Sequence, residues 1–150
     1  MLTDNHFAIL AKLREDSRMS LARIGRETGL PTSTVFDHYR DLQKRAIARH
    51  VTIPDFGRLG YPLRKRYLLR TADRKRTLAW LKGHPNVNDV YRVDSHDAFF
   101  EAYFSDVNAA EEFKASLRQE LKPQELKEFD ILEELKHEVF VVKNSVRASA

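Results

Sequence analysis

Apolar positions repeat along the chain in two rhythms, and the change falls near residue 60. The first part is helical. Phe7, Leu10 and Leu13 recur at spacings of three, which predicts a helix over Asp4–Arg14 with one apolar stripe. Asp4 stands at the positive end of its dipole. "EDSR" then breaks the pattern. Ser20 is placed to cap a second short helix, Leu21–Thr28, with Leu21 and Ile24 inward. Gly29 stands where a left-handed C-cap residue is wanted. Pro31 suits the start of a third helix, where its missing N–H costs nothing. That helix is expected from Pro31 or Thr32 to Arg45, with Val35, Tyr39 and Leu42 as an inner seam at i, i+4 and i+7. In "AIARHVTIP", Ile47, Arg49, Val51 and Ile53 alternate with smaller or polar residues, the period of a short strand.

"DFGRLGYP" is a connector with two glycines and a proline within six residues. Beyond it the pattern predicts a strand over Leu63–Arg70 and a helix over Asp73–Lys82 that stops before Gly83 and Pro85. Strands follow over Val87–Val93 and Ala98–Ser105. A further helix, capped by Asp106 or Asn108, runs to about Leu121; Glu111 is spaced to complete a capping box from Asn108. In the last segment, Leu126–Val142, Phe129, Ile131, Leu135, Val139 and Val141 allow a strand, while "EELKHE" favours a helix. The order β-α-β-β-α-β is ferredoxin-like, an antiparallel sheet with both helices on one face. The fold class is therefore α+β: a winged helix-turn-helix followed by a ferredoxin-like domain. Domains are expected at 1–53 and 63–150, joined by a hinge at 54–62. Aromatics on both faces of "AFFEAYF" would be costly to expose, so two copies are expected to pack sheet to sheet as a homodimer.

Composition narrows the function. With 42% hydrophobic and 32% charged residues, the 150-residue chain suits a folded soluble protein rather than a disordered one. It has no cysteine, which removes disulfides, thiolate metal sites and cysteine nucleophiles. No apolar run approaches the roughly 20 residues that span a bilayer, and "MLTDNHFAILAKL" lacks a basic region ahead of an apolar stretch. A cytoplasmic location is expected. The net charge is +4, but residues 1–75 carry 16 Lys+Arg against 8 Asp+Glu, and residues 76–150 carry 10 against 14. A basic first half suggests a polyanionic partner.

Helix, short turn, helix and basic exit fit double-stranded DNA. The major groove, about 12 Å wide, admits one α-helix, whose first residues reach base edges. Thr32, Ser33 and Thr34 stand there; Ser and Thr also cap helices everywhere, and the two roles are compatible. Arg40 is long enough for a guanine edge or a phosphate. Lys44, Arg45, Arg49 and His50 suit the phosphate backbone, as do Arg23 and Arg26 on the preceding helix. Phe36 either meets a thymine methyl or packs back on the helices. Asp37 either reads cytosine or sits off the DNA.

The stretch "ILAKLREDSRMSLARIGRETGLPTSTVFDHYRDLQKRAI" resembles the N-terminal domain of the Lrp/AsnC (leucine-responsive, feast-famine) transcriptional regulators, particularly archaeal ones. The leucine pair before "DSR", "IG…TGL", "STV" and the "L…AI" exit carry the resemblance. "LGYP" before the first strand resembles that family's hinge into its ligand-sensing (RAM) domain. The resemblance implies a homodimer, often assembled into tetramers or octamers, on pseudo-palindromic promoter DNA, with binding adjusted by an amino acid or related small molecule. An effector site would then involve Asp94, Ser95, His96 and Asp97 in "VDSHDAFF". The family usually has a glycine in that turn, a basic residue where His38 stands and a glycine where Ala46 stands.

Other chemistry is sparse. No GxxxxGK[ST] or GxGxxG loop is present, and no cofactor, metal or catalytic set is expected. Two alternatives remain. One is a chromatin-like DNA binder with little sequence preference. The other is an enzyme resembling the tetrapyrrole decarboxylases of this two-domain arrangement, with His96, Arg92 and His84 as candidates.

Overall fold

The computed structural model describes residues 1–136. Their contacts separate into two compact units, Met1–Thr52 and Ile53–Glu134.

The first unit has three helices: α1 (Asp4–Glu15), α2 (Leu21–Thr28) and α3 (Thr32–Arg45). Local chemistry sets their ends. Ser20 Oγ accepts from the Arg23 amide at the start of α2, and Gly29, with φ 72°, closes it in the left-handed region. Pro31 is the residue ahead of α3 rather than its first turn. Ile9, Leu13, Met19, Ile24, Val35 and Leu42 form the core. The buried stripe of α1 is His6, Ile9 and Leu13, not Phe7, Leu10 and Leu13. It is rotated because His6, polar by type, turns inward and is only 5% exposed.

The expected strand over residues 47–53 is absent: that segment has no regular structure, and Val51 and Ile53 are exposed. An alternating pattern makes a strand only where a neighbour takes its backbone hydrogen bonds, and among the described residues no strand lies alongside it.

The second unit is a four-stranded antiparallel sheet with two helices. In chain order these are β1 (Leu63–Arg70), α4 (Arg74–Gly83), β2 (Val87–Tyr91), β3 (Ala98–Phe104), α5 (Val107–Leu121) and β4 (Glu125–Asp130). The strand order is β2-β3-β1-β4, as expected for a ferredoxin-like domain. Tyr67 pairs with Phe100 and Leu69 with Ala98 across the two central strands. These residues, with Ala102 and Phe104, are buried against Leu81 of α4 and Phe113, Leu117 and Leu121 of α5. Phe113 packs on the rings of Tyr67, Phe100 and Phe104.

The other sheet face is not the bare apolar surface the aromatics suggest. Glu101 is 4% exposed there, 2.9 Å from Arg64 and 2.8 Å from Arg66. It also accepts from the Tyr103 hydroxyl at 3.1 Å. Arg64 lies over the Tyr103 ring and Arg66 over Phe99, while Phe56 stacks on Tyr103. Arginine stems and rings cover one another. The cap of α5 is Asp106, whose side chain accepts from the Ala109 amide; Asn108 lies inside the helix, so the box with Glu111 does not form. Among the described residues of the Leu126–Val142 segment the strand ends at Asp130, and Leu132 and Leu135 are exposed. Val139 and Val141 lie outside the described residues.

Candidate nucleic-acid interface

The α2–α3 turn is fixed from both sides. The Leu30 amide donates to the Gly25 carbonyl at 3.0 Å, and Gly25 is buried. A Cβ at Gly25 would stand 2.7 Å from the Leu30 carbonyl oxygen. Glycine at that point lets the chain leave α2 and enter α3 in close contact.

This turn orients α3. Val35 and Leu42 are fully buried and Tyr39 half-buried. The opposite side presents Thr32, Ser33, Phe36, Asp37, Arg40 and Lys44 to solvent, with Thr34 half-buried at the edge. Pro31 supplies no side-chain cap, so the first-turn amides of α3 are left for an external acceptor. Phe36 does not pack back on the helices. It is 48% exposed, and the Arg40 guanidinium lies over its ring at 5.7 Å. An aromatic beneath Arg40 restricts that long side chain to the exposed face.

The cations differ in what holds them. Lys44 and Arg49 are exposed. Arg45 is paired with Asp41 at 2.6 Å. His50 is exposed, tilted against Tyr39. Arg23 donates to Glu27 at 2.7 Å, and Lys12 reaches the same carboxylate at 3.2 Å. The hydrogen bond from Arg23, then that from Lys12, hold the Glu27 carboxyl below its ordinary range. Arg26 is exposed in the last turn of α2.

Two departures from the family pattern have physical reasons. His38 is half-buried and turned towards α1, with Nδ1 3.1 Å from His6 Nε2, so it takes no place on the solvent face. Ala46 closes α3 at φ −135°, outside the left-handed region, so this end does not require glycine.

The four turn residues of the second unit divide. Asp97 accepts from the Thr71 amide and from Arg74, both at 2.9 Å. The Thr71 hydrogen bond and then Arg74 hold its carboxyl below the ordinary range. It ties the end of β1 to the start of α4. His96 has its side chain 8% exposed, with Nε2 3.6 Å from Glu125, and Ser95 Oγ is 2.9 Å from its Nδ1. Asp94 and Ser95 are exposed. His84 and Arg92 do not join them in one constellation: His84 packs on Trp80 and Phe113 and accepts from the Asn86 amide, and Arg92 is exposed. An open cleft of about 350 Å³, lined by Arg118, Lys122, Pro123, Gln124, Glu125 and Leu126, lies at the C-terminal end of α5; none of Asp94–Asp97 lines it. Sequence reasoning missed Glu101 and His6, since neither type signals burial.

A family model described as winged helix-turn-helix DNA-binding matches residues 2–45, the three helices of the first unit. The chain is 28% identical over 88 residues to the HTH-type transcriptional regulator LrpC of Bacillus subtilis (strain 168). That match covers 57% of the chain and 61% of LrpC. Over this span the chain is similar to an Lrp-type regulator. The fold agrees across nearly its whole length. LrpC of B. subtilis superposes with a TM-score of 0.81 at 21% identity, covering 91% of this chain and 98% of that one. A transcriptional regulator from Neisseria meningitidis, solved as an L-Met complex, gives 0.83 at 18%, covering 91% and 94%. AsnC of E. coli gives 0.75 at 15%, covering 91% and 96%. No helix among the described residues is long and apolar enough to cross a membrane.

Proposed function

We propose that this protein is a sequence-specific, double-stranded DNA-binding transcriptional regulator of the Lrp/AsnC type, cytoplasmic and acting as a homodimer or higher oligomer. Residues 1–53 are its DNA-binding domain, 54–62 its hinge and 63–150 its dimerisation and effector domain. The observation that carries the reading is the division of α3: Val35 and Leu42 are fully buried, while its first turn and its Arg40–Lys44 side face solvent. Thr32, Ser33, Thr34, Phe36 and Arg40 read the groove, and Asp37 stands beside them. Lys44, Arg45, Arg49, His50 and Arg23 meet the phosphates. Two such helices would enter successive major grooves about 34 Å apart.

An amino acid or related small molecule adjusts the binding, as the L-Met complex of the Neisseria regulator suggests. Of the four turn residues, Asp94, Ser95 and His96 are the ones available for it, because Asp97 is engaged by Thr71 and Arg74.

The test is equilibrium DNA binding across a salt series, with random DNA as competitor. Lys44→Ala or Arg49→Ala should weaken binding to every sequence and reduce the log–log salt slope by about 1 each. Ser33→Ala, Thr34→Ala or Arg40→Ala should change sequence preference instead. Equal affinity for random DNA would overturn the reading in favour of a low-specificity binder, and unchanged slope and preference in all five variants would overturn the docking.

A further inference from the structure

We infer that His6, His38, Asp41 and Arg45 form a proton-gated charge switch on α3, which adds positive charge to the DNA-binding helix when an imidazole of the cluster is protonated. The inference rests on the docking proposed above, in which the end of α3 meets phosphate.

His6 comes from α1, yet its ring is aimed at α3. Its Nδ1 accepts from the Thr3 amide at 3.1 Å. A backbone N–H only donates, so Nδ1 carries the lone pair and the proton of neutral His6 is on Nε2. Nε2 lies 3.0 Å from Asp41 Oδ2 and 3.1 Å from His38 Nδ1, and the two imidazoles meet edge to face at 4.2 Å. The same Asp41 oxygen accepts from Arg45 Nη1 at 2.6 Å. One carboxylate is thus shared between a guanidinium and an imidazole N–H.

The charge count follows. With both imidazoles neutral, Asp41 cancels Arg45 and the cluster has no net charge. One added proton makes it +1. His6 has partners for both states. Protonated, its Nε2–H gives Asp41 a charge-assisted hydrogen bond, and its new Nδ1–H faces Thr3 Oγ1 at 2.7 Å. The Thr3 amide then loses its acceptor at a helix end near solvent. The groups facing His6 are His38 and Asp41 of α3, with Arg45 behind Asp41, and the amide and hydroxyl of Thr3 on its own side. In the protonated state the imidazolium competes for Asp41, and Arg45 becomes available to phosphate. Imidazole is the side-chain type that can gain or lose a proton without strong acid or base.

The experiment measures DNA affinity of the full chain against salt at pH 8 and pH 6, with a chelator present and the fold checked by circular dichroism. Wild type should bind more tightly at pH 6, with a salt slope steeper by about 0.9 for each added phosphate contact. His6→Gln keeps a donor towards Asp41 but takes no proton, and should lose part of the difference; the double change with His38→Gln should lose it. All variants are compared in a His50→Gln background, because His50 is placed at the phosphates and would add its own charge; in that background His84→Phe, in the second unit, should keep the difference. Asp41→Asn should show the steep slope at both pH values, and it carries the test if His6→Gln does not fold. Equal wild-type slopes at the two pH values, or a full wild-type difference in the double His variant and in Asp41→Asn, would overturn the inference. Unaltered slopes in Lys44→Ala and Arg49→Ala would instead place the fault in the docking.

Discussion

Gly25→Ala tests whether the α2–α3 turn sets the reading helix. Alanine is intrinsically better than glycine in a helix by about 0.5–1 kcal/mol, so on propensity alone the change should stabilise. The local geometry opposes this. The new methyl would lie 2.7 Å from the Leu30 carbonyl oxygen, and 3.6 and 3.7 Å from Thr32 Oγ1 and the Thr32 amide nitrogen. Leu30 cannot simply swing away, because its amide is bonded to the Gly25 carbonyl. The carbonyl has to retreat by several tenths of an ångström, carrying the start of α3 with it. Overpacking of this kind costs about 1–3 kcal/mol. The balance is a loss near 1 kcal/mol, or a midpoint about 4–8 °C lower for a small unit. Thermal melting followed by circular dichroism reads the stability, and titration of DNA reads the displaced Thr32–Thr34 turn as weaker binding. Gly83→Ala is the control. It lies in α4 with nothing within 4 Å of its added methyl, and should be neutral or stabilising. A Gly25→Ala protein as stable as wild type and binding DNA equally well would refute the reasoning.

Further outcomes concern the second unit. Glu101→Gln should destabilise by about 1–3 kcal/mol in denaturant titration, because it removes the counter-charge shared by Arg64 and Arg66 while keeping the volume. Burial pushes the Glu101 carboxyl up, but hydrogen bonds from Arg66 and Arg64 outweigh it and leave it below the ordinary range. Its contribution should therefore be complete above about pH 4.5 and fade as pH falls further; Glu101→Gln should flatten the acid limb of midpoint against pH. Burial holds the His84 imidazole below its ordinary range, which favours the neutral form in the folded state. That contribution is full above about pH 6.5 and is lost as pH falls below it, so His84→Phe should remove a decline in melting midpoint on that side. Asp106→Ala should cost about 1 kcal/mol by leaving the Ala109 amide at the start of α5 without its cap.

The parts of this protein that were legible along the chain are those fixed by neighbours in sequence. The ends of α2 follow from Ser20 and Gly29, and the inner seam of α3 follows from the spacing of Val35 and Leu42, so its solvent-facing side follows as well. The βαββαβ order and the extent of β1 were likewise local, since a strand buried on one face shows its period of two. What the tertiary structure decided were the matters settled by partners distant in sequence. A strand over residues 47–53 needs a neighbour to take its hydrogen bonds, and a period of two does not supply one. Phe36 was ambiguous until Arg40 was found above its ring. Asp97 read as a polar turn residue until the Thr71 amide, 26 positions away, was seen to occupy it. His6 and Glu101 are ionisable, and the pattern counts such residues as exterior; each is buried because the fold brings His38 and Asp41 to one and arginines to the other. Hydrophobic periodicity states which side of an element avoids water, but a polar group joins that side only when its hydrogen bonds are met there, and the fold alone brings those partners together.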